Sequence, residues 1–148
     1  MKEAQPMEEK PSNQRKGKSS EHLFFSMLLE QGLEVYAPLA DDSGVDALAR
    51  LSDGTFAEIQ IKSRSPGAKH PALFADIAYE SGRPGYWFAF RAWDGETDAW
   101  YLLNGEEFER VARREGKGTW ALNIGANRET LAHCALGPER WDKFKKGV

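Results

Sequence analysis

Asp46, Glu58, Gln60 and Lys62 are the side chains of this chain whose types and spacing can do chemistry together. Glu58, Gln60 and Lys62 alternate with Ala57, Ile59 and Ile61, which is the period of a β-strand. A carboxylate, an amide and an amine therefore stand in a row on one face, about 7 Å apart at roughly 3.3 Å per residue. Carboxylate oxygens with a backbone carbonyl suit Mg²⁺, which takes one or two carboxylates and keeps several waters. A lysine beside such a centre orients a water or stabilises negative charge building on a phosphate. The competing reading is a solvated strand face with an incidental Glu–Lys pair.

The elements that must position these groups are legible on either side. Residues 55–63 read as the central strand, and residues 45–51 as a shorter one carrying a single acid, Asp46. The turn Ser52-Asp53-Gly54 is short enough to make them an antiparallel hairpin, which brings Asp46 alongside the polar row. Upstream, Ser19 or Ser20 caps a helix that runs to about Gln31 and stops at Gly32. Glu21 lies in its first turn, where a carboxylate interacts well with the helix N-terminus. Residues 33–38 are a first strand, and Asp41 and Asp42 are turn formers within reach of a cation beside Asp46.

Downstream, Pro71 opens a helix to about Glu80, with Leu73, Phe74, Ile77 and Ala78 on its apolar side. Residues 86–92 form a strongly β-forming central strand, and residues 99–103 return as a second hairpin. Asn104 caps a helix over residues 106–114, ended by Gly116. A short strand over 119–124, a strand or irregular segment over 130–136, and a final helix opened by Pro138 complete the chain. Five tryptophans scatter through these elements and suit packing better than a row of base-stacking platforms.

At 148 residues there is room for one domain with a sizeable core. Residues 1–18 are polar and read as a disordered tail, leaving 19–148 as a single α/β domain. Apolar residues at 41% and charged residues at 29% place the chain among soluble globular proteins, without a membrane-spanning run. Cys134 stands alone, so no internal disulfide forms, and a reducing cytoplasm is the expected location. The net charge of −3 argues against a tight, autonomous nucleic-acid binder. Local basic clusters nevertheless exist at Arg15, Lys16 and Lys18, and at Lys62, Arg64 and Lys69.

Asp46 followed by a hairpin and the run Glu58-Ile59-Gln60-Ile61-Lys62-Ser63 resembles the PD-(D/E)xK nuclease superfamily. The resemblance covers roughly residues 19–110, with Glu21 at the helix position where such proteins often carry a glutamate facing the site. It implies an α/β restriction endonuclease-like fold, a central mixed sheet of about five strands flanked by the first helix and the helix after Pro71. It implies hydrolysis of phosphodiester bonds, in DNA first, with Mg²⁺ or Mn²⁺. Asp46, Gln60, Glu58 and the Ile61 carbonyl would ligate the metal, Lys62 would serve the water or the developing charge, and Glu21 would complete the acidic cluster. Ser63, Arg64, Lys69 and His70 would contact substrate, and a homodimer is left open. Gln60 departs from the pattern, which wants Asp or Glu there. Its amide oxygen still serves a hard cation, but a full negative charge is missing. The alternative is thus a catalytically inactive nuclease-like domain that binds nucleic acid or a protein partner.

Overall fold

The computed structural model describes residues 12–40 and 44–148. Helix α1 (Asn13–Glu30) leads into β1 (Val35–Tyr36) and then the hairpin of β2 (Ala47–Arg50) and β3 (Phe56–Ser63). Strand β4 (Leu73–Ala78) follows, and β5 (Tyr86–Asp94) and β6 (Thr97–Asn104) form the second hairpin. Helix α2 (Gly105–Val111), β7 (Arg113–Gly116), β8 (Thr119–Asn123) and helix α3 (Pro138–Lys145) complete the order. The main sheet is mixed and five-stranded, β1-β2-β3-β5-β6, with only the β3–β5 pair parallel. That is the expected sheet.

Helix α1 starts earlier than Ser19 or Ser20. Ser12 is its N-cap, accepting from the Arg15 N–H at 3.2 Å, so residues 13–18 are helical and not part of a disordered tail. The signal was hidden because these added turns are polar and exposed, with Gly17 a poor helix former inside them. Ser20 is instead a buried interior residue, whose hydroxyl accepts from Arg91 at 3.1 Å. Residues 1–11 lie outside the described residues.

The segment after Pro71 is a strand, not a helix. Parallel strands need a crossover, usually helical, but here the crossover from β3 to β5 carries β4 out into a second sheet, β4-β8-β7. Phe74 faces Leu122 and Ile77 faces Trp120, so β4 spends three residues where β8 spends two. The extra residue is a β-bulge, with Asp76 at φ 55°. It puts Phe74 and Ile77 on one buried side at a spacing that imitates a helix. Likewise Arg113 and Arg114, expected in the preceding helix, are extended as the start of β7 (Arg113–Gly116).

Both faces of the main sheet are covered, which is why β5 is buried on both sides. Ala57, Ile59, Ile61, Trp87 and Leu102 pack under Phe24 and Leu28 of α1 and Trp141 and Phe144 of α3. On the other face Tyr86, Phe88 and Phe90 meet Phe74, Phe108, Trp120 and Leu122 from the second sheet and α2. Phe88 and Phe108 stack with ring centroids 4.0 Å apart. Trp87, Trp120 and Trp141 are core residues, in line with the packing role expected of the tryptophans. Among the described residues no helix is long and apolar enough to cross a membrane.

Helix α2 begins where the sequence places its cap. The Asn104 side chain accepts from the Glu107 N–H at 2.8 Å, and Glu107 accepts from the Asn104 N–H at 2.9 Å. Asn104→Ala removes one side of this capping box and is expected to cost about 1 kcal/mol, read from the midpoint of urea unfolding.

Candidate active site

The β2–β3 ladder ends at Asp46. Ala47 opposes Ile59, yet the Asp46 N–H also donates to the Ile59 carbonyl, at 2.8 Å, so two residues of one strand face one of the other. Beyond that bulge the next outward N–H of β3, that of Ile61, finds a side chain in place of a strand. It donates to Asp46 Oδ2 at 2.7 Å. The Asp46 carboxylate is thereby fixed beside the residue that separates Gln60 from Lys62. Because the N–H and C=O of a strand residue point the same way, the Ile61 carbonyl lies on the Asp46 side as well.

Gln60 is 3% exposed and sits on the face of β3 toward the second sheet, opposite Phe88. The Tyr86 O–H, at the start of β5, lies 3.4 Å from Gln60 Oε1 and 3.4 Å from the Gly44 carbonyl. Burial pushes the Tyr86 phenol up to about 12, with Arg83 opposing and Asp46 and Glu58 reinforcing, so it stays a neutral donor. Gly44 has φ +75°, a backbone conformation that a side chain would strain just before Asp46. Lys62 alternates onto the same face as Gln60, opposite Phe90, and is partly buried.

Glu58 shares that face one pleat earlier, but Arg83 holds it in an ion pair at 2.8 Å. That pair ties Glu58 to the loop before β5. Glu21 and Asp46 line one cleft of about 220 Å³ with His22 and Phe25 of α1 and Val45. Glu21 is also paired with Lys18 at 3.1 Å. Asp41 and Asp42 lie outside the described residues.

A second cleft, of about 360 Å³, opens at the end of β3 and is lined by Arg15, Lys16, Ser63, Arg64, Arg91 and Trp93, among others. It gathers two of the expected substrate residues, Ser63 and Arg64, with part of the basic cluster before the first apolar turn of α1. Arg91 is held there by a fork to Asp98, at 2.9 and 2.8 Å. Lys69 and His70 line neither cleft; both are exposed on the loop after β3, where the His70 carbonyl accepts from Arg64 Nε at 3.2 Å. Tyr86, Arg83, Arg91 and Trp93 carried no local sequence signal. They reach these positions only through the β3–β5 register.

The fold has parallels among solved structures. A bacterial homing endonuclease superposes with a TM-score of 0.53 at 17% identity, covering 68% of this chain and 74% of its own. Hjc, a Holliday junction resolvase of Archaeoglobus fulgidus, superposes with a TM-score of 0.55 at 15% identity, covering 83% of this chain and 92% of its own. The chain has the restriction endonuclease-like fold. No family model matches the chain, and no curated protein matches it in sequence. In this restriction endonuclease-like chain the second sheet occupies the place expected for the Pro71 helix, while the β2–β3 hairpin and the central position of β5 are as expected. The oxygen donors near residue 61 are a carboxylate from Asp46, an amide from Gln60, the Ile61 carbonyl and, in the lining of the Asp46 cleft, Glu21. Such a hard set fits Mg²⁺ or Mn²⁺ better than a thiophilic ion.

Proposed function

We propose that this chain is a metal-dependent nuclease that hydrolyses phosphodiester bonds, in DNA first. One observation carries the reading: the Asp46 carboxylate is pinned to the peptide N–H between Gln60 and Lys62. Asp46, the Ile61 carbonyl and Gln60 would hold Mg²⁺ or Mn²⁺, with Glu21 completing the set from α1. When bound, the cation neutralises charge on the phosphate and lowers the pKa of a water. Lys62 orients the attacking water or stabilises the charge that builds on the phosphoryl oxygens. The cleft with Arg15, Lys16, Ser63 and Arg64 receives the phosphate backbone. Glu58, bound to Arg83, supports the strand and leaves ligation to Asp46. Incubation with supercoiled plasmid and with a synthetic four-way junction is the direct test. The expected result is cleavage with Mg²⁺ or Mn²⁺ that EDTA abolishes; no cleavage of either DNA with either ion overturns the enzymatic reading.

The second reading, a silent nuclease-like module, is favoured by Gln60, whose neutral amide is buried against Tyr86. Calorimetric titration with Mn²⁺ separates the two, since a silent module binds no cation through Asp46. Gln60→Glu sharpens the comparison. Adding a carboxylate beside Asp46 is expected to tighten Mn²⁺ on the order of tenfold or more. An unchanged affinity removes Gln60 from the ligand set.

A further inference from the structure

Away from the Asp46 cleft, three side chains with metal-binding chemistry converge on one point. Glu107 comes from α2, and His133 and Cys134 from the single-turn 3₁₀ helix Ala132–Cys134. His133 Nε2 lies 3.2 Å from Glu107 Oε2, Cys134 Sγ 3.5 Å from that same oxygen, and Cys134 Sγ 3.4 Å from His133 Nε2. A tetrahedral ion with bonds of about 2.0–2.3 Å holds neighbouring N, O and S ligands about 3.3–3.6 Å apart. The three separations thus outline one face of that tetrahedron before any ion is present. We propose that Glu107, His133 and Cys134 form a binding site for a borderline-soft divalent cation, zinc(II) in the first instance.

The supports are rigid, as a preformed site requires. Glu107 is fixed by the Asn104 capping box and by Arg140, which bonds its other oxygen, Oε1. The His133–Cys134 turn is tied to the main sheet by the Tyr101–Ala135 bridge and by the Leu136 N–H to the Trp100 carbonyl, at 3.0 Å. Glu107 and Cys134 are buried while His133 is largely exposed, which leaves a solvent-side approach for the cation and a fourth ligand. On binding, the thiol proton leaves to solvent. Thiolate and carboxylate then cancel the two charges of the cation, and the Arg140 charge is left, +1 in all, beside the solvent-side opening at His133.

A nucleophilic Cys–His–Glu arrangement is excluded by the same geometry. Both contacts of His133 use Nε2, so the ring cannot relay a proton from thiol to carboxylate. The ligand set, with a thiolate and an imidazole, differs in kind from the oxygen donors at Asp46, and the two sites favour different cations.

Cobalt(II) added to the full chain, with no other metal, reports the site directly. The expected result is stoichiometric binding with a thiolate-to-cobalt charge-transfer band and the visible bands of tetrahedral Co²⁺, both displaced by Zn²⁺. Cys134→Ser is expected to abolish the charge-transfer band. His133→Ala, an exposed position that does not threaten folding, is expected to weaken zinc by ~100-fold. Asp46→Asn is expected to change neither, which keeps this site separable from the nuclease reading. Zinc should also raise Tm by several degrees in the parent and not in His133→Ala. The absence of a thiolate band in the parent, or its persistence in Cys134→Ser, overturns the proposal.

Discussion

Asp46→Asn is expected to lower Mg²⁺-dependent DNA cleavage by ~10³-fold while leaving the unfolding midpoint almost unchanged. The substitution keeps the shape of the side chain and keeps an oxygen to accept the Ile61 N–H, now 2.7 Å from Oδ2. What it removes is the negative charge, so a purely structural Asp46 predicts no loss of cleavage. Lys62→Ala is the companion change. It deletes a positive charge on the Gln60 face at a partly buried position, and is expected to cost ~10²-fold or more in turnover. Lys62→Arg is not expected to restore it, because a planar fork does not replace a point charge on a flexible stem. Plasmid nicking under single-turnover conditions measures all three. Cleavage at the parental rate in Asp46→Asn sinks the metal role, and a parental rate in Lys62→Ala sinks the lysine's.

Arg140→Ala is expected to destabilise the fold by about 3–5 kcal/mol, the range for removing one partner of a buried ion pair. Arg140 is 2% exposed, donates from Nε to the Leu102 carbonyl at 2.7 Å, and bonds the buried Glu107 carboxylate. Its loss leaves a buried carboxylate held by the Asn104 cap bond and the His133 and Cys134 contacts, without its guanidinium counter-charge. The double variant Arg140→Met with Glu107→Gln, which removes the charge from both sides, is expected to recover part of the loss. Urea unfolding in EDTA measures both without interference from any bound ion.

The pH dependence carries a definite sign. Burial pushes the Glu107 carboxyl up, but hydrogen bonds from Arg140 and the Asn104 N–H, with the Arg140 charge, outweigh it and hold it below the ordinary carboxylate value. A depressed folded-state pKa contributes stability that is complete above the unfolded carboxyl pKa and is lost as pH falls through the folded one. The parent should therefore lose this contribution on acidification. Arg140→Ala should lose less, having less to lose.

Much of this architecture was already written in local patterns. The alternation of residues 57–62, the Ser52-Asp53-Gly54 turn and the solitary Asp46 specify a hairpin with an acid beside a polar row, because side-chain period and turn length are properties of the chain itself. Asn104 and Pro138 mark the starts of α2 and α3 for the same reason, a cap and a ring that act within one turn. The oxygen-rich chemistry around Lys62 follows from residue types alone.

Other features existed only after the chain had closed on itself. The Phe74–Ile77 spacing reads as helical until pairing with β8 inserts a bulge between them. Arg83 claims Glu58, and Tyr86 holds Gln60, because β5 runs parallel to β3 in one register, and no local pattern encodes a register between strands separated by a crossover. Glu107, His133 and Cys134 have no metal-like spacing, and their meeting depends on where α2 and a 3₁₀ turn dock on the sheet. Short-range stereochemistry thus determined the elements and the reactive residues, whereas long-range packing, which alone sets distances between remote side chains, decided their partners.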